Sequence, residues 1–300
     1  YGAQLSQSDV PLGEEGLASA LSSYDVVLCT LGDTISGDML RARARRTRLL
    51  ANFGAGVNHI DLVAARDTGV MVSNTPGVLT DDTADLTILL MLAAMRRATE
   101  GDRELRSGLW SGWRPTHLLG TRMSDATLGI VGFGRIGQAV ARRAHFGFGM
   151  RILYHSRREA PSEIVASLGA TRCATLNDLL SASDVVSLHV PASRLTHHLI
   201  DDAALTAMRR DAFLVNTARG DIVDERALIA ALSEERIAGA GLDVFDCEPA
   251  VSAKLLALPN VFALPHLGSA TTKGRVAMGE RALANIAAFV AGVSLPDRVA

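Results

Sequence analysis

The run Thr127-Leu128-Gly129-Ile130-Val131 passes without a break into Gly132-Phe133-Gly134-Arg135-Ile136-Gly137, and residues 138–145 continue with helical spacing. Few folds accommodate a strand that ends in G-x-G-x-x-G and opens a helix. The crossover helix that follows such a strand joins parallel strands and covers a face of their sheet. Gly132 permits the tight turn, Gly134 lets the backbone approach a pyrophosphate, and Gly137 lets the helix pack closely on the strand. The helix N-terminus, with Arg135 and Ile136 in its first turn, faces the anion. The junction predicts a dinucleotide site; a glycine-rich turn without a ligand is the alternative.

Short β-branched runs alternate with longer amphipathic stretches along almost the whole chain, which predicts an α/β class with doubly wound parallel sheets. Three hundred residues are too many for one ordinary core, so two lobes are expected. Strands are predicted at Val26-Val27-Leu28-Cys29, Leu49-Leu50-Ala51 and Val70-Met71-Val72, with helices near 35–45 and 58–67. A long helix is expected over 81–99, then an extended arm over 100–125 whose anchors, Trp110 and Trp113, pack on their own protein or on a second subunit. Strands follow near 127–131, 151–155, 184–189, 213–216, 239–244 and 260–264. A helix over 271–291 is expected to return to the first lobe.

Composition narrows the partners. A net charge of −2 leaves no basic field for nucleic acid. Cys29, Cys173 and Cys247 are scattered without C-x-x-C spacing, so neither a disulfide framework nor a zinc site is expected, and no metal is assigned. The longest apolar run, 86–95, is far short of the roughly 20 residues a membrane span requires. With no basic-then-apolar leader at its start, the chain is expected to be cytoplasmic.

The second coenzyme strand, Arg151-Ile152-Leu153-Tyr154-His155, ends in Ser156-Arg157-Arg158, where an NAD-selective site would carry an acid for the ribose hydroxyl. A serine and two arginines suit a 2′-phosphate instead. NADP(H) is therefore the expected cofactor, with NAD(H) the alternative if the arginines are merely solvated.

Arg219, Glu248 and His266 each follow a predicted strand of the second lobe, at the strand-to-loop corners where open α/β sheets place ligands. Alone, each has an ordinary structural reading: a surface ion pair, or a loop histidine. Together they supply what reduction of a 2-oxo acid needs. Arg219 would grip the carboxylate with both arms and polarise the carbonyl; His266 would give a proton to the developing alkoxide; Glu248 would orient the ring and favour its charged form.

The segments Asn216-Thr217-Ala218-Arg219-Gly220, Gly241-Leu242-Asp243-Val244-Phe245 with Glu248-Pro249, and Pro265-His266-Leu267-Gly268-Ser269 resemble the signatures of the D-isomer-specific 2-hydroxyacid dehydrogenases. The resemblance extends to Gly54-Ala55-Gly56-Val57-Asn58-His59-Ile60-Asp61 and Asn74-Thr75-Pro76-Gly77, and is strongest to glyoxylate/hydroxypyruvate reductases. It implies a Rossmann coenzyme domain (79–269) inserted in a flavodoxin-like substrate domain (1–78 plus 270–300). It implies that the substrate domain lacks its first strand and helix as given, that the reaction lies in the cleft, and that the enzyme is a homodimer. By the same resemblance, Arg219, Glu248 and His266 are the substrate arginine, orienting glutamate and acid/base histidine. The Ala55-Gly56 backbone meets the substrate carboxylate, and Leu31 borders the pocket or simply packs in the core. Thr83 touches the cofactor, Asp243 bonds the nicotinamide carboxamide, and His189-Val190-Pro191 lines the nucleotide with Thr217, Ala218 and Gly268. 2-Ketogluconate reductase is the nearest alternative activity; an NAD-gated corepressor-like binding protein is a more distant one.

Overall fold

The alternating pattern becomes two separate parallel sheets in the computed structural model, which describes residues 2–300. The chain divides into a unit ending at Leu79 that is completed by Thr271–Ala300, and a unit formed by Thr80–Ala270.

The first unit runs α1 (Gly13–Ser23), β1 (Val26–Cys29), α2 (Gly37–Arg41), β2 (Leu49–Asn52), α3 (Leu62–Asp67) and β3 (Met71–Ser73). Its sheet has the order β1-β2-β3, with Val26 opposite Leu49 and Leu49 opposite Met71. Ser36 and Asp61 cap the short helices by accepting from amides three residues on, which satisfies donors that a first turn otherwise leaves unpaired. Val27, Leu40, Leu50, Ile60 and Val72 form the core. Helix α1 was not anticipated, and the reason is local: Leu12 occupies its N-cap without a side-chain bond, which leaves Glu14 and Glu15 in the first turn as a weak start signal. The C-terminal helix (Thr272–Val290) packs on β2. Beyond it, Asp297 receives both arms of Arg281 at 2.7 Å and the amide of Asn285 at 2.9 Å, and the tail pairs antiparallel beside Ser73.

The second unit contains α4 (Thr80–Met95), α5 (Ala98–Arg106), β4 (Thr127–Val131), α6 (Arg135–Phe148), β5 (Arg151–His155), α7 (Ser162–Ser167), β6 (Thr171–Arg172), α8 (Leu176–Ala182), β7 (Val185–Leu188), α9 (Asp202–Ala207), β8 (Phe213–Asn216), α10 (Glu225–Ser233), β9 (Gly239–Leu242), α11 (Ala253–Ala257) and β10 (Val261–Ala263). Its seven parallel strands lie in the order β10-β9-β8-β7-β4-β5-β6. Strand order reverses between β4 and β7, the kind of switch point at which doubly wound sheets bind ligands. Strands β4, β7, β8 and β9 are buried along their whole length between two cores, one around Leu188, Leu214 and Leu232, the other around Leu90, Ile130 and Ile152.

The arm departs from expectation. The long helix breaks at Arg97, whose φ of 55° is left-handed, and α5 occupies the start of the segment read as extended. No residue of α5 is fully buried, and Ala98 and Leu105 are its only large or methyl-bearing apolar residues, so its amphipathic pattern is written mainly in charged side chains; ion pairs Arg97–Glu100 and Arg106–Asp102 and the hydrogen bond between His117 and Glu104 staple it. Trp110 and Trp113 are 53% and 82% exposed, so Trp113 does not pack on its own chain. Among the described residues, no helix is long and apolar enough to cross a membrane.

Candidate active site

Strand β4 delivers its last buried residue, Val131, into Gly132, whose φ of 95° only glycine adopts at low cost. A Cβ there would lie 2.6 Å from the His189 carbonyl oxygen and 2.8 Å from Val190, so His189 and Val190 form the wall of the turn. At Gly137 a Cβ would meet the Gly132 carbonyl at 2.3 Å, which makes this glycine the condition for helix α6 starting so close to the strand. Gly134 differs: it is the extended N-cap of α6, and a Cβ would find no atom within 4 Å. Arg135 and Ile136 stand exposed and half-buried in the first turn. An open glycine in front of a 14-residue helix N-terminus is the shape that admits a pyrophosphate against backbone, so the residues present fit a dinucleotide. His189 is kept neutral, its pKa pushed down to about 3 by burial, and its Nε2 lies 2.8 Å from Ser187 Oγ. Pro191 is exposed at the end of this segment.

Beyond β5, Ser156 is half-buried, while Arg157 and Arg158 are exposed. One neighbour escaped the sequence reading. Arg172, brought alongside by the pairing of Tyr154 with Arg172 in β6, donates to the Ser156 carbonyl at 3.2 Å and lies 3.5 Å from Glu159. The first acid after β5 is thus engaged by an arginine, and no acid ends the strand itself.

The ends of β8, β9 and β10 bring the other predicted residues together. Asn216 donates to the Arg219 carbonyl and accepts from Ala218 N, fixing the corner that carries Thr217, Ala218 and Arg219. Arg219 is part-buried; burial pushes its pKa below the ordinary value, against the pull of Glu248 and Asp221. Gly220 allows this corner to touch the loop after β9, since a Cβ would fall 1.9 Å from Phe245 C. In that loop, Glu248 accepts from Phe245 N at 2.9 Å with one oxygen and meets His266 Nδ1 at 2.7 Å with the other. Burial pushes the Glu248 carboxyl upward, but the bonds from His266 and Phe245 and the nearby positive charges carry it below its ordinary range. His266 has a left-handed φ of 56°, a backbone state that a non-glycine residue holds only when its surroundings enforce it. Buried Asp243 supplies the enforcement: its carboxylate accepts from Leu267 N at 2.7 Å and Gly268 N at 2.8 Å, and its carbonyl accepts from His266 N. Thr83 closes the same loop by donating to the Gly268 carbonyl at 3.1 Å. A histidine backed by a carboxylate, beside an arginine, can hold a carboxylate and pass a proton to an adjacent oxygen.

In the first unit, Ala55 and Gly56 form a half-buried corner directly after β2. Leu31 is half-buried against it, 3.3 Å from where a Gly54 Cβ would lie.

Residues 88–268 match the model of the D-isomer specific 2-hydroxyacid dehydrogenase NAD-binding domain. A glyoxylate reductase of Thermococcus litoralis is 44% identical over 287 residues, which is 94% of this chain and 86% of that protein. A crystal structure of a Thermus thermophilus protein, also 44% identical, superposes with a TM-score of 0.87 over 95% of this chain and 89% of that one. An NADPH-dependent glyoxylate/hydroxypyruvate reductase of Sinorhizobium meliloti, crystallised with citrate, is 39% identical with a TM-score of 0.76, covering 85% of this chain and 79% of its own. The chain belongs to the D-isomer-specific 2-hydroxyacid dehydrogenase family: it is an oxidoreductase that uses a nicotinamide cofactor to interconvert 2-oxo and 2-hydroxy acids.

Proposed function

We propose that the chain is an NADPH-preferring glyoxylate/hydroxypyruvate reductase in which His266 is the acid, Glu248 its orienting partner and Arg219 the carboxylate anchor. The carrying observation is the 2.7 Å contact of Glu248 with His266 Nδ1, at the same strand ends as Arg219. The carboxylate fixes one ring nitrogen as a donor, leaving Nε2 to hold the proton that goes to the carbonyl oxygen. The bound reduced cofactor supplies the hydride. The cradle of Gly132, Gly134, Arg135, Ile136 and Gly137, walled by His189 and Val190, would hold its phosphates. Thr83, Pro191, Thr217, Ala218, Asp243 and Gly268 are assigned to its remaining contacts, and the Ala55–Gly56 corner and Leu31 to the substrate.

Ser156, Arg157 and Arg158, with Glu159 engaged by Arg172, support the phosphorylated cofactor over NAD(H). The names of the Thermococcus and Sinorhizobium relatives support glyoxylate or hydroxypyruvate as substrate. Exposed Leu105, Leu109, Trp110 and Trp113, four large apolar side chains within nine residues of the arm, support a homodimer, because such a concentration of exposed apolar residues is normally covered. A panel of glyoxylate, hydroxypyruvate, pyruvate, phenylpyruvate and 2-ketogluconate with each cofactor tests the reading. The expected result is the highest kcat/KM for glyoxylate or hydroxypyruvate with NADPH; a preference for NADH refutes the selectivity assignment, and a preference for 2-ketogluconate refutes the substrate.

A further inference from the structure

The corner after β2 is held from behind by an amide network that no part of the dehydrogenase chemistry above explains. Asn52, the last residue of β2, is only 1% exposed. Its Nδ2 donates to the carbonyls of Gly54 at 2.9 Å and Gly56 at 2.8 Å, and its Oδ1 accepts from His59 Nε2 at 3.0 Å and from the Cys29 thiol at 3.9 Å. Every donor and acceptor of that side-chain amide is therefore used, and His59 and Cys29, both donors here, fix which way it faces. Asn74, just beyond β3, donates to the Ala55 carbonyl at 2.7 Å, and Thr75 N adds a second bond to Gly54 at 3.0 Å.

Three consecutive carbonyls, those of Gly54, Ala55 and Gly56, are thus drawn toward two asparagines. The peptide bonds here are trans, and in a trans peptide the carbonyl and the following N–H point in opposite directions. Pinning those carbonyls aims the N–H groups of Ala55, Gly56 and Val57 the other way. Among the described residues, the amides of 54–57 donate to no acceptor. Successive backbone donors turned away from pinned carbonyls at a bend are open to an anion.

We infer that Asn52 and Asn74 are positioning residues: by holding these carbonyls they preorganise the Ala55 and Gly56 amides to receive the carboxylate of the 2-oxo acid. The inference rests on the assignment of that corner to the substrate. Because the amides are aimed before the substrate arrives, no reorganisation is needed when the carboxylate binds. Charge-assisted bonds from two amides then contribute to KM more than to kcat, since the carboxylate is present in ground and transition states alike.

The test uses the full-length protein with NADPH bound and oxamate as a 2-oxo acid mimic. In the wild type, the backbone amide resonances of Ala55 and Gly56 are expected to shift on oxamate titration. In Asn52→Asp, whose carboxylate cannot donate to the pinned carbonyls, and in Asn74→Ala, oxamate affinity is expected to fall about tenfold to hundredfold. KM for the 2-oxo acid should rise in parallel, with kcat within a factor of about three and NADPH affinity unchanged. Absence of the wild-type shifts overturns the carboxylate assignment and the inference with it. Wild-type shifts with unaltered oxamate affinity and KM in the variants overturn the positioning role alone. Should Asn52→Asp not fold, Asn74→Ala, which removes one pin at a half-buried position, decides the matter by the same readouts.

Discussion

Gly220→Ala is the substitution that most directly probes how the proposed reacting residues, Arg219, Glu248 and His266, are held together. Gly220 follows Arg219, and a Cβ added to it would fall 1.9 Å from Phe245 C, 2.0 Å from Phe245 O and 2.3 Å from Asp246 N. These are backbone atoms, so no side-chain rotation relieves the clash. Real Cβ atoms essentially never come closer than 3.0 Å to such neighbours, so the corner after β8 and the loop after β9 must part by about 1 Å or more. That separation falls between Arg219 and the loop in which Phe245 N holds Glu248, and through Glu248 it reaches His266. Overpacking of this kind costs about 1–3 kcal/mol of stability, which a 300-residue protein survives. A displacement of about 1 Å in a reacting constellation costs roughly a hundredfold in rate. The variant should therefore fold, melt at a lower temperature, still bind NADPH through the Gly132 cradle on β4 but more weakly because Thr217 and Ala218 share the displaced corner, and lose about two orders of magnitude in kcat. Steady-state kinetics with glyoxylate and NADPH, nucleotide fluorescence and thermal melting provide the measurements. A folded variant with kcat within twofold of wild type would refute the claim that close approach of these two loops sets the geometry.

Three further outcomes are expected. His266→Ala should lower kcat by about 10²–10⁴ while leaving NADPH affinity near wild type, and intact turnover would remove His266 from its role as acid. Gly134→Ala meets no protein atom within 4 Å, so its stability should stay within about 0.5 kcal/mol of wild type, yet nucleotide affinity should drop by tenfold or more if a pyrophosphate approaches that backbone; unchanged affinity argues against that placement. The hydrogen bond from Arg281 lowers the pKa of Asp297, so the pair contributes stability above the ordinary carboxylate range that is lost as pH falls through the lowered value. Arg281→Gln should therefore melt below wild type at pH 7, with the gap narrowing as the pH falls below the ordinary carboxylate range and Asp297 takes up a proton, and a gap that does not change with pH would show that the charge of Asp297 is not involved.

Local sequence carried most of the second unit. Thr127–Val131 and the glycines after it could be read because β-strand chemistry, turn chemistry and helix spacing agree within a dozen residues. Arg219, Glu248 and His266 were visible as polar residues at strand ends, although only their family context raised them above ordinary surface groups. Helix α5 was not legible, since with so few apolar residues it offers no apolar stripe to follow and its pattern lies in charged side chains. Nor was Arg172, on a strand of two residues, too short for any pattern.

The sequence by itself determined the parallel α/β class and the glycine-rich strand-to-helix turn, because these depend on residues close together in the chain; it offered Arg219 as the proposed anchor and His266 as the proposed acid only through the family signatures around them. Only the tertiary structure decided what holds them in place. The clamp of Asp243 on the His266 loop spans 24 and 25 residues to Leu267 and Gly268, the support of Thr83 under Gly268 spans 185, and the bond of Asn74 to Ala55 spans 19. Hydrogen bonds of this range follow from how strands are stacked in a sheet, and a spacing along the chain does not encode them.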